Sequence, residues 1–145
     1  MTMREHLQAG KRAPERQARD YHDLLVWQKG MALAKHIYTL TRAFPDTEKF
    51  GLVTQMRRAA VSVPSNIAEG QAHYTTGEFI QFLSHAAGSI SELDTQLQLS
   101  IELGLCADAK VKEAKSLIIE LRKMITALRR KLRESESVNG GRQER

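Results

Sequence analysis

The chain has one cysteine, three prolines and eight aromatic residues among its 145, and it has no long apolar run. The lone Cys106 excludes a disulfide framework within the chain and any cysteine-rich metal site. No stretch approaches the roughly 20 apolar residues that span a bilayer. The opening MTMREHLQAGKRAPERQARD lacks the apolar core of a secretory signal, so the expected location is cytoplasmic. Few prolines and aromatics, set against many Leu, Ala, Glu, Lys, Arg and Gln, favour an all-helical chain. The length suits one domain with a real core.

The charge is unevenly placed. Of the net +5, residues 1–20 hold five cations against three acids and residues 129–145 hold six against three, while residues 21–128 carry eleven of each. A basic arm or tail of this kind holds phosphate without sequence preference, or simply solubilises the chain. The domain plan is a disordered basic arm over 1–20, a helical bundle over 21–134 and a disordered tail over 135–145.

The central stretch FGLVTQMRRAAVSVPSNIAEG starts at Phe50. Leu52, Met56, Ala59 or Ala60, Val63 and Ile67 recur at helical spacing, with Gln55, Arg58, Ser62, Asn66 and Glu69 along the opposite side. Pro64 falls inside this pattern and predicts a kink or a restart between residues 62 and 65. Such a kink is either a shaped site or a packing device, and the small residues Ala59, Ala60, Ala68 and Gly70 favour packing. A first helix is expected over 24–43, capped by Asp23, with Leu24, Trp27, Met31, Ala34 and Ile37 or Tyr38 on its apolar stripe. Pro45 stops it. Thr75 and Glu78 form a capping box for a third helix whose stripe is Phe79, Phe82 or Leu83, Ala86, Ile90, Leu93 and Leu97. Gly104 ends that helix. The fourth carries a near-heptad seam: Val111, Ala114, Ile118, Leu121, Ile125, Leu128 and Leu132. Four long amphipathic helices with short connections make an antiparallel up-and-down four-helix bundle, and their length leaves a second face for self-association.

No catalytic constellation is visible. The five histidines form no H-E-x-x-H pair, and Glu69 and His73 stand four apart rather than the three of a di-iron motif, so neither a metal nor a cofactor is expected. Cys106 falls near a helix N-cap, a position that can lower a thiol pKa, but no motif ties a base to it.

The segments DLLVWQKGMALAKHIYTLTRAFP, FGLVTQMRRAAVSVPSNIAEG and GEFIQFLSHAAGSISELDTQL closely resemble the four-helix-bundle proteins encoded by intervening sequences in bacterial 23S ribosomal RNA genes. That family also includes the accessory variability proteins of diversity-generating retroelements. The resemblance covers residues 21–133, and the R-R-A-A-V-S-x-P-S-N-I-A-E-G block carries most of it. It implies a bundle assembled into a ring-like homopentamer, with no established activity for most members. The retroelement members look like basic barrels that bind nucleic acid and a reverse transcriptase. On the matching block this points to Arg57 and Arg58, to the polar pair Asn66 and Glu69, and to Pro64 and Gly70 as structural signature. Family members often carry basic residues after the E-G; here residues 71–76 are Gln, Ala, His, Tyr, Thr and Thr. The expected function is that of a non-enzymatic, oligomeric nucleic-acid-binding accessory or scaffold, acting through Arg57, Arg58, Arg122, Lys123, Arg129, Arg130 and Lys131 on RNA or DNA. The competing expectation is a protein-interaction scaffold that binds no nucleic acid.

Overall fold

The computed structural model describes residues 20–73 and 75–143. Four helices make the bundle: α1 (Leu25–Thr41), α2 (Leu52–Ala72), α3 (Thr76–Glu102) and α4 (Asp108–Gln143). Short 3-10 turns at Tyr21–Asp23 and Asp46–Glu48 precede α1 and α2. Each helix packs on the next in the chain and α4 closes on α1, as an all-α up-and-down four-helix bundle requires.

Local chemistry sets both ends of α3. Thr75 accepts the Glu78 amide at 3.2 Å, which caps α3. Only half of the capping box forms, because the Glu78 carboxylate turns to His73 Nδ1 at 2.8 Å. At the far end Gly104 takes φ +73, its amide donates to the Ile101 carbonyl at 3.0 Å, and the Leu105 amide donates to the Ser100 carbonyl at 2.9 Å. Those two bonds are a Schellman motif and need a left-handed residue where glycine stands. All seven members of the α4 seam are buried, from Val111 to Leu132.

Four expectations are corrected. Asp23 does not cap α1; it ends the preceding turn, and Leu24 takes the cap position with no side-chain bond. The buried stripe of α1 is Val26, Gly30, Leu33, Ala34, Ile37 and Leu40, so Trp27 and Met31 lie at its margin. Gly30 faces Pro64 across the helix pair: a Cβ there would meet the Pro64 ring at 3.4 Å, an ordinary contact that leaves no room for a longer side chain. Pro64 does not make α2 restart, since the helix runs on through it and buries its ring. Finally, α4 does not give way to a disordered tail at Ser135 but continues to Gln143. Extending a formed helix needs no new nucleus, so a polar sequence can follow a packed one. Of the arm over 1–20, all but Asp20 lies outside the described residues.

Candidate nucleic-acid interface

Consecutive helical residues diverge by about 100°, so a run of cations in sequence is not a patch in space. Arg129, Arg130 and Lys131 show this. Arg129 is half-buried with its Nε enclosed and unpartnered, whereas Arg130 and Lys131 are exposed a further step and two steps around α4. Arg122 and Arg129, one heptad apart, lie on the α3 flank of the seam. Arg122 reaches Asp94 on α3 at 3.4 Å and Ser91 Oγ at 3.4 Å. A heptad earlier, Lys115 donates to Gln98 at 3.1 Å.

The outward face is different. Arg122, Lys123 and Arg130, with Thr126 and Ala127, line one shallow depression whose lining includes no carboxylate. Lys123 and Arg130 are exposed and form no ion pair among the described residues. Two cations at the rim and a third tethered behind them suit a phosphate backbone that passes along α4.

Arg57 belongs elsewhere. Its Nε donates to Thr41 Oγ1 at 2.9 Å, Nη2 donates to the Tyr38 carbonyl at 3.5 Å, and the guanidinium lies 4.5 Å from the Tyr38 ring centre. This places a cation over the last turn of α1, where it complements the helix dipole. Replacing Arg57 with alanine should cost about 1–2 kcal/mol, from the lost hydrogen bonds and cation–π contact, and leave affinity for RNA within twofold. Thermal denaturation beside a binding titration separates the two effects; a large loss of affinity in a still stable variant would return Arg57 to the binding face.

The signature block divides in the same way. Asn66 Nδ2 donates to the Ser62 carbonyl at 2.8 Å and to Ser62 Oγ at 2.9 Å, and Ser62 Oγ meets Ser89 Oγ on α3 at 2.8 Å. Asn66 thus holds a polar bridge between α2 and α3. Gly70 is buried where α2 meets the start of α3. Arg58 and Glu69 are exposed on α2 and make no ion pair among the described residues, so they do not fix the helix to its neighbours. Ser89, Tyr38 and Thr41, the partners of Ser62 and Arg57, lie outside that block, and only the register of one helix on another reveals them.

Cys106 is not an activated thiol, because partial burial pushes its pKa up. Among the described residues no three His, Cys, Asp or Glu side chains converge as a metal site would need, and no helix is long and apolar enough to cross a membrane.

No curated protein matches the chain. A family model does, over residues 22–127, which takes in α1, α2, α3 and the larger part of α4. With its four helices, and with the signature block of α2 at the packing positions just described, the chain belongs to the 23S rRNA-intervening sequence protein family.

Proposed function

We propose that this protein is a non-enzymatic, homo-oligomeric accessory or scaffold that binds RNA or DNA along the outer face of α4. The observation that carries this reading is the depression of Arg122, Lys123 and Arg130, whose lining includes no acid. In a ring-like homopentamer, the assembly implied by the resemblance, this face would recur in every subunit and focus a positive field that one chain supplies only weakly. The retroelement members that the chain resembles suggest a reverse transcriptase as the protein partner, and the proposed place of action is the cytoplasm.

Changing Lys123 and Arg130 together to glutamine tests the reading, because both are exposed and outside the ion pairs. Affinity for labelled duplex DNA should fall about tenfold at ~0.1 M salt. The slope of log K against log salt should flatten by about 1.8, or about 1.4 on single-stranded RNA, since each neutralised phosphate contributes about 0.9 or 0.7. An unchanged slope removes this face from the proposal.

A second reading, a protein-interaction scaffold without nucleic acid, has its own support. The groove between α3 and α4 exposes Leu99 at 43% and Ile119 at 53%, with Asp94 and Glu102 along one side and Lys115 and Arg122 along the other. Apolar residues between opposite charges are the composition of a protein contact. Wild-type protein that binds neither RNA nor DNA at low salt, while an Ile119→Glu variant loses self-association or a co-purifying protein, would favour that reading.

A further inference from the structure

At the end of the bundle where α1 finishes, the chain between α3 and α4 folds over it and leaves a cleft of about 370 Å³. That volume lies in the range of small-ligand pockets. Leu40 and Phe44 form an apolar floor from α1 and its exit, and Leu105 closes it from the connection above. Polar groups are few: Lys110, His36, the Cys106 thiol and Thr39, whose hydroxyl donates to the Lys35 carbonyl at 3.1 Å. Lys110, in the first turn of α4, is exposed and makes no ion pair among the described residues. His36 lines the opposite wall; its Nδ1 lies 3.7 Å from Glu113, and its Nε2 is buried with no hydrogen-bond partner. Cys106 sits at the rim, and no carboxylate is among the lining residues.

Each feature narrows the occupant. Among the described residues no cluster of ligating side chains could hold a metal. An apolar floor gains from an aryl or branched alkyl group, at about 25 cal/mol for each Å² covered. A cation without a counter-charge gains from oxygen atoms that carry negative charge. We propose that this cleft binds a small apolar monocarboxylate, its body on Leu40, Phe44 and Leu105 and its carboxylate toward Lys110. The site lies at the α1 exit, apart from the cationic depression on α4, and does not depend on nucleic-acid binding. Its occupancy would change the surface that the α3–α4 connection presents, which makes it a place where a small acid can act on the assembly.

The test uses the full chain with phenylacetate and isovalerate as probes and phenylacetamide as the uncharged match. Ligand-detected NMR measures binding, and alkylation of Cys106 by iodoacetamide, the chain's single thiol, reports occupancy of the cleft. A mildly alkaline buffer keeps alkylation measurable, since burial raises that thiol's pKa. The expected result is that a carboxylate probe slows alkylation at least threefold at saturation and phenylacetamide does not. Lys110→Gln, an exposed change with little bearing on folding, should weaken the carboxylate at least tenfold and leave the amide unaffected. Equal binding of acid and amide, or a Lys110→Gln variant that binds the acid as wild type does, overturns the carboxylate assignment. Absence of binding by any probe, with alkylation unchanged, overturns the site.

Discussion

Gly70→Ala is expected to destabilise the bundle by about 2 kcal/mol, although alanine is the better helix former by about 1 kcal/mol. A Cβ at this position would stand 2.7 Å from Phe79 Cδ2 and 2.8 Å from Phe82 Cβ. Neither neighbour can yield. Phe79 is fully buried, and the Phe82 Cβ is fixed to the α3 backbone, so α2 and α3 must move apart where they pack most closely. Thermal denaturation should show a midpoint about 6–10 °C lower. Gly88→Ala is the control: a Cβ there meets nothing within 4 Å on an exposed face of α3, so the same exchange should stabilise by about 0.5–1 kcal/mol. Equal midpoints for the two variants would show that Gly70 does not set the spacing of α2 and α3.

Phe79→Ala should be costlier still, at about 3–5 kcal/mol. Phe79 is the largest of the fully buried side chains, sits in the first turn of α3 and fills the space that Gly70 leaves open. Its removal opens a cavity that the surrounding helices can only partly close. Against a typical total of about 5–15 kcal/mol, this loss brings the variant to the edge of folding, and the denaturant midpoint should fall accordingly. The two sites are coupled. Without the Phe79 ring the 2.7 Å contact disappears while the Phe82 Cβ remains, so Gly70→Ala should cost about 1 kcal/mol less in the Phe79→Ala background. Strict additivity of the two changes would place the clash on Phe82 alone.

The legible parts of this molecule are those written at spacings of three and four residues. The α4 seam, the α3 stripe, the Thr75 cap and the Gly104 stop all depend on neighbours in the chain, and each stands where the pattern put it. Helix α1 was ambiguous because apolar residues crowd two of its faces, from Leu24 to Trp27 and from Met31 to Ala34. The packed helices bury Val26, Gly30, Leu33, Ala34, Ile37 and Leu40, and Gly30 meets Pro64, 34 residues further along the chain. The candidate site divides in the same way. A row of Lys and Arg on α4 is visible in the sequence, but Arg129, Arg130 and Lys131 share a run and not a face, while Arg130 shares a face with Arg122 and Lys123, about two turns back along the helix.

By itself the sequence determined the all-helical class, the number and order of the helices, most of their buried faces and the family. These follow from periodicity and capping, which act within a few residues. Only the tertiary structure decided which polar groups are occupied: Arg57 bound to the end of α1, Asn66 linked through Ser62 to Ser89, Arg122 held by Asp94, Lys123 and Arg130 left outward. A side chain's chemistry is fixed by its type, but its availability depends on what another helix brings within about 3–4 Å. That distance is a product of packing, and no spacing along one helix encodes it.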